Sequence, residues 1–271
     1  QVKSALLLAG LFAKGRTTIG GAGSSRDHTE LMLGQMGVSC EPKAGETGVG
    51  LDGPSRPGGL DMRVPGDPSS AAFFQVAAAL VPGSRVTATG MSLNHTRTGA
   101  LRTLKKAGVS VAIERPFGDP RGETAGDVVV SHKALQPFTL DAQDIPSQVD
   151  EIPVLAVLAT QAGGATVISG AEDLRVKESD RLALMAANLK KLGADIEEKP
   201  DGLVITGPTP LQGGTEEAPV VFETGGDHRI AMAMAIASLI NEGHSVLDNH
   251  ACVAVSYPSF FETLAGLLES S

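Results

Sequence analysis

The sequence predicts an α/β fold built from repeated β-α-β-α-β-β units, one set nearly complete and one partial. Three observations carry that expectation. Glycines at positions 15, 83, 164 and 243, spaced 68, 81 and 79 residues apart, each close an apolar helical run and open a strand. Glycine suits a helix end because it enters the left-handed conformation without strain. A second glycine series at 37, 108 and 193, spaced 71 and 85 apart, closes amphipathic helices whose tails read GQMG, KKAG and KKLG. The segments that follow, such as 87–89 and 166–169, are rich in β-branched residues. Interleaved, the two series define a unit of 70–85 residues that packs helices on sheets in layers.

Taken in chain order, residues 2–20 read as helix, glycine and strand, and residues 28–37 as a helix leading into a strand VSCEP (38–42). This stretch to about residue 54 holds only the rear of a unit. A full copy runs over 60–131. It opens at a turn and helix cap, PGDPSS (65–70), and its second helix carries Leu101, Leu104 and Ala107 at three-residue steps before VSVAIE (109–114). Another copy covers 138–205, with helices at 154–160 and 180–193, the latter carrying Leu182, Met185 and Leu189 ahead of ADIEE (194–198). A third starts near 220, contains the apolar helix 230–240 and ends with the chain. The expected division is 1–64, the rear of an incomplete domain, and 65–271, a second and nearly complete one.

Composition narrows the function. At 271 residues, 42% hydrophobic and 20% charged, the chain has ample material for a core and is not a disordered sequence. No apolar run approaches the ~18 residues of a membrane span. A net charge of −9 counts against nucleic acid, whose phosphates need a basic face. Cys40 and Cys252 form no CxxC pair, which fits a reducing, cytoplasmic setting. Six histidines without an HExxH spacing argue against a protein-built metal site. Gln1 is not a start methionine and leads straight into a helical run, so the chain is expected to begin inside a domain.

Charged residues gather at helix starts, where the dipole and free N–H groups favour anions. In LRVKESDR (174–181) six of eight residues are charged or hydroxylic. Ser179 or Asp180 can cap that helix, and Lys177 and Arg181 are spaced to share a face. Basic residues there oppose the dipole and call for an anionic partner. In GGDHR (225–229), Asp227 suits a cap, while Arg229 offers a forked guanidinium to a carboxylate or phosphate. In QVDEIP (148–153), Asp150 and Glu151 suit a first turn and Pro153 an early helical position, so composition alone favours a structural role. In SRDHTE (25–30), Asp27 and Glu30 have capping-box spacing and Arg26 is left for an anion.

The segments RVKESDR (175–181), GDHRIAM (226–232), VDEIPVLAV (149–157), SRDHTE (25–30) and GDPSSAAFF (66–74) together resemble the 5-enolpyruvylshikimate-3-phosphate synthase family, in the right order along the whole chain. The resemblance implies enolpyruvyltransferase-like domains of the inside-out α/β barrel kind. It implies a transferase of the shikimate pathway of aromatic amino acid biosynthesis, which moves the enolpyruvyl group of phosphoenolpyruvate to the 5-hydroxyl of shikimate 3-phosphate and releases phosphate. No metal or organic cofactor takes part in that family. By the same resemblance Asp150 and Glu178 are the catalytic carboxylates, one near the hydroxyl and one near the methylene carbon. Gln1, Ser25, Arg26, Asp150 and Lys177 match shikimate 3-phosphate positions, Arg181 and Arg229 match phosphoenolpyruvate positions, and Asp227 and His228 flank them. Val255 stands where some members carry a lysine. The family's early Lys-Ser motif, Asn-Ala-Gly-Thr loop and another arginine have no counterpart in these residues. The expectation is therefore an N-terminally truncated member, inactive without the missing segment or a complementing chain. The alternatives are the related UDP-N-acetylglucosamine enolpyruvyltransferase, with RVKESDR and DHRIAM favouring the shikimate branch, and a non-catalytic anion-binding fragment.

Overall fold

The computed structural model of the chain describes residues 1–21, 25–44, 47–118 and 122–269. The first stretch holds α1 (Val2–Gly10), β1 (Gly15–Ile19), α2 (His28–Gln35) and β2 (Val49–Gly53), with β2 antiparallel to β1. Leu7, Leu11, Leu33, Val38, Cys40 and Leu51 form a small core between them. VSCEP (38–42) is not a strand. Val38 and Cys40 turn inward to fill that core, and the Cys40 carbonyl accepts one bond from Gly50 N (3.3 Å), too isolated a contact for a ladder. One apolar face of α1 is left open, with Val2 76% and Leu6 46% exposed, and Phe12, just beyond the helix, is 86% exposed.

The next copy holds α3 (Pro68–Leu80), β3 (Arg85–Ser92), α4 (Gly99–Lys106), β4 (Ser110–Gly118) and β5 (Thr124–Ser131), its antiparallel sheet ordered β3-β5-β4. Its leading strand shrinks to one bridge, Gly66 to Met91. Then follow β6 (Thr139–Leu140), α5 (Ile152–Ala159), β7 (Gly164–Ile168), α6 (Arg181–Lys191), β8 (Asp195–Lys199) and β9 (Gly202–Gly207), in a sheet ordered β6-β7-β9-β8. The last stretch gives β10 (Leu211–Gln212), β11 (Val220–Phe222), α7 (His228–Ala237), β12 (Asn241–Glu242), β13 (Ser245–Leu247) and α8 (Phe260–Glu269). The parallel pairs there are β10-β12 and β11-β13. All seven glycines of the two series have positive φ: Gly37, Gly108 and Gly193 directly follow the C-caps of α2, α4 and α6, whereas Gly15, Gly83, Gly164 and Gly243 stand further on, in the turns and strand starts after their helices.

Helices α3, α5 and α7 pack against one another, and sheet strands pack on each of them. Every residue of α5 is buried, so IPVLAVLA is apolar all round rather than on one stripe. Each large side chain buried there contributes about 2 kcal/mol. The amphipathic helices α4 and α6 bury Leu101, Leu104, Leu182, Met185 and Leu189, the residues their spacing selects. Residues 72–264 contribute to this second core, which is separate from the first. Polar contacts join the two halves, among them Asn94 Nδ2 donating to Asp27 Oδ1 (2.8 Å). Among the described residues, no helix is long and apolar enough to cross a membrane.

The repeat also recurs as a close approach. A Cβ on Gly53 would sit 2.3 Å from the Gly10 carbonyl oxygen and 2.5 Å from that of Ala13. One on Gly207 would meet the carbonyls of Thr160 and Ala162 at 2.5 and 2.6 Å, in the same place after α5. Gly207→Ala is expected to destabilise the chain by about 3 kcal/mol through this backbone clash. Gly193→Ala, at φ +84° but with nothing within 4 Å, should cost only about 1 kcal/mol. Urea unfolding of both variants measures the difference, and equal losses would contradict the clash.

Candidate active site

Four helix N-termini meet at one end of the second core. Asp67 caps α3 by accepting from Ser70 N (2.9 Å), and Asp180 caps α6 through Ala183 N (3.0 Å). Asp227 caps α7 through Arg229 N (2.9 Å). A 3-10 turn, Val149–Glu151, leads into α5 and carries Asp150. Free N–H groups of four helices thus add positive potential to the arginines gathered there.

Arg181, the first residue of α6, is 1% exposed. Its Nε donates to Asp227 Oδ2 (2.7 Å), Nη2 bonds Glu178 Oε2, and Nη1 lies 3.5 Å from Asp150 Oδ1. Nη1 is buried and has no hydrogen-bond partner. Asp227 is fully buried, and its Oδ2 also accepts from Ser179 Oγ (2.9 Å). Burial would raise the Asp227 pKa, but hydrogen bonding and charge from Arg181 outweigh it and hold the carboxyl below its usual value.

Asp150 collects arginines from both halves of the chain. Arg26 Nη2 donates to its Oδ2 (2.9 Å), Arg229 Nη1 donates to its carbonyl (3.3 Å), and Arg229 Nη2 lies 3.6 Å from Oδ2. Its carboxyl is held low: the burial penalty is overcome first by Arg229, then by Arg26 and Arg181. His228, 9% exposed at the start of α7, has its pKa lowered by burial and then by Arg229, so it is neutral at pH 7. Glu151, beside Asp150, is buried at 4% exposure, and burial pushes it up to about 7.

A cavity of about 680 Å³ opens between the two halves. Gln1, Ser25, Arg26, Asp150 and Lys177 all line it. Arg181, Arg229, Glu178, Asp227 and His228 stand beside it, tied to Asp150 or to one another. Lys177 and Arg181 do not share a helix face as their spacing suggested, because α6 begins at Arg181 and Lys177 lies in the preceding bend. The 27–30 capping box does not form either. Asp27 makes no side-chain cap bond and accepts from Asn94 instead, while Glu30 pairs with Lys3. Arg175 turns from the cavity, donating to the carbonyls of Pro200 (2.6 Å) and Lys199 (2.5 Å), to Glu198 (2.8 Å) and to the α6 cap Asp180 (2.9 Å). Val255 is 83% exposed.

Sequence reasoning missed the part played by four residues. Ser4 and Thr29 line the cavity with hydroxyls 2.6 Å apart. The helical stripe Gln1, Ser4, Ala5 and Leu8, all of which line it, was the available signal. Ser179, read as a cap, instead orients Asp227. Glu151 was read as a helix-start acid, and its burial has no local signature.

The family model described as EPSP synthase (3-phosphoshikimate 1-carboxyvinyltransferase) matches residues 1–264. Relatives named 3-phosphoshikimate 1-carboxyvinyltransferase include one from Shouchella clausii, 47% identical over 98% of this chain and 60% of its own length. Another, from Anaeromyxobacter sp. (strain Fw109-5), is 51% identical over 99% of this chain and 60% of its own. The solved EPSP synthase of Acinetobacter baumannii superposes with a TM-score of 0.89 at 35% identity, covering 98% of this chain and 60% of that one. The chain therefore spans about 60% of the length of the relatives it matches.

Asp227→Asn leaves Arg181 buried beside a neutral group and is expected to destabilise the chain by about 3 kcal/mol at pH 7. Because the folded Asp227 pKa is lowered, its stabilisation is full above the unfolded value near ~3.9 and is lost as pH falls through the folded value. Chemical unfolding of both chains from pH 7 to pH 3 should show the gap closing only at the acid end.

Proposed function

Since the chain belongs to the EPSP synthase family, we propose that it carries the part of an enolpyruvyl transfer site that binds shikimate 3-phosphate in the 680 Å³ cavity and phosphoenolpyruvate at Arg181 and Arg229. The observation that carries this reading is the gathering of Gln1, Ser25, Arg26, Asp150 and Lys177 on one cavity, with two more arginines on the shared carboxylate Asp150.

The chemistry suits the arrangement. The methylene carbon of phosphoenolpyruvate must gain a proton, leaving the adjacent carbon cationic, and the 5-hydroxyl adds there as it gives up its own. Elimination reverses both proton transfers and expels phosphate. Asp150 faces the hydroxyl and Glu178, half exposed at the rim, faces the methylene carbon. In the free chain Arg229, Arg26 and Arg181 make Asp150 a weak base. Ligand phosphate and carboxylate draw Arg26 and Arg229 away, which lifts its pKa toward the range a general base needs. Ser179 and Asp227 hold Arg181 so that the free Nη1 donor meets the ligand.

The two separate cores support a division at 1–64 and 65–271, with the first part the rear of one domain. The open apolar face of α1, together with the 60% coverage of the relatives, supports the reading that turnover needs further polypeptide completing the cleft. The free, buried Cys40 and Cys252 support a cytoplasmic setting.

The test is phosphate release from phosphoenolpyruvate when the chain is combined with a polypeptide supplying the remaining length of the relatives. Release is expected with shikimate 3-phosphate as acceptor and not with UDP-N-acetylglucosamine. A folded, complete assembly without turnover, or one that prefers the nucleotide sugar, would overturn the reading. In the same assembly Arg181→Lys should weaken phosphoenolpyruvate binding roughly tenfold or more, because an ammonium cannot keep the guanidinium fork. Unchanged saturation kinetics would refute that role.

A further inference from the structure

Glu151 is a buried acid that the proposed chemistry does not use. It lies under the site between the starts of α5 and α3, where its side chain hydrogen-bonds Ser69, while its other oxygen, Oε1, is buried without a partner. Ser69 in turn accepts from Arg97 Nη2 (2.9 Å), and Arg97 is committed to the Asp67 cap (2.6 Å). Among the described residues, no salt bridge reaches Glu151. We propose that Glu151 is a positioning residue for the reaction: buried beneath the site with one oxygen unpartnered, it leaves Asp150 as the single negative charge of the pair while it carries its proton, and its ionisation loosens the grip of the arginines on anionic ligand. This rests on the reading of the cavity as a substrate site.

The charged groups around it set the direction. Burial is the largest influence and raises its pKa to about 7, and Asp150 pushes the same way. Arg229, from α7, and Arg97, ahead of α4, act against it, as does the Ser69 hydrogen bond. Arg181 on α6 and Arg26 from the first half reach this corner through Asp150. Near neutral pH a small change therefore switches a charge that Arg229, which holds Asp150, acts on. An ionised Glu151 competes for that guanidinium and repels the incoming anion.

Glu151→Gln keeps the shape and fixes the neutral state. Calorimetric titration of phosphoenolpyruvate into the 271-residue chain and into the variant, from pH 5.5 to 8.5, should give near-equal affinities at the acid end. At the alkaline end the variant should bind about tenfold tighter. The ratio cancels titration of the ligand and of His228. A second readout needs no ligand. A raised acid contributes stability that is lost as pH rises from about 4.3 to about 7. The melting temperature of the variant should therefore gain on the parent chain across that window. Ser69→Ala, which removes the bond favouring the ionised form, should shift both transitions to higher pH and serves if the glutamine variant does not fold. A pH-independent affinity ratio with ligand bound overturns the role of Glu151 alone. A constant melting difference overturns its neutrality. Absence of binding by both chains at every pH overturns the site reading and the inference together.

Discussion

Arg181 is the constraint on which the rest of the site depends. A guanidinium at 1% exposure is tolerated only where its charge is matched, and three carboxylates match it. Each comes from a different place: Asp227 from the cap of α7, Glu178 from the bend before α6, Asp150 from the turn before α5. One buried cation thereby fixes the relative position of three helix starts. Asp227 answers two needs at once, because the carboxylate that pairs with Arg181 also caps α7. Loss of either partner would leave the other buried and uncompensated.

On the reading proposed above, the same arrangement lets an acidic chain hold polyanions. The net charge is −9, yet the cleft collects Arg26, Lys177, Arg181 and Arg229 beside four helix N-termini. In the free chain, protein carboxylates occupy these arginines. On the proposed reading a phosphate or carboxylate on a ligand takes over Arg26 and Arg229, so that binding is an exchange of partners rather than the filling of an empty positive hole. In that proposal the exchange links recognition to chemistry, since drawing Arg26 and Arg229 from Asp150 removes two of the charges that hold its pKa down.

Much of this was legible in the sequence, for physical reasons. The glycine spacing found the repeat because positive φ favours glycine, at the helix ends for Gly37, Gly108 and Gly193 and in the turns and strand starts after the helices for Gly15, Gly83, Gly164 and Gly243. Helix faces followed from the spacing of Leu101, Leu104, Leu182, Met185 and Leu189. The dipole argument flagged the 174–181 and 225–229 starts, though much of the counter-charge for Arg181 proves to lie in the protein itself. What stayed hidden depends on partners distant in the chain. VSCEP reads as a strand but has no ladder to join. Arg175 reads as part of the basic cluster but is captured by β8 and the turn after it. Glu151 reads as a surface acid at a helix start, and only the packing of α3 against the same corner buries it.

The most direct test of the exchange is a crystal structure of the chain with shikimate 3-phosphate and phosphoenolpyruvate bound. The account predicts ligand in the cavity among Gln1, Ser25, Arg26 and Lys177. It predicts Arg26 and Arg229 turned from Asp150 onto ligand oxygens, and Arg181 Nη1 donating to ligand. Ligand bound elsewhere, or bound with Arg26 and Arg229 still on Asp150, would contradict it.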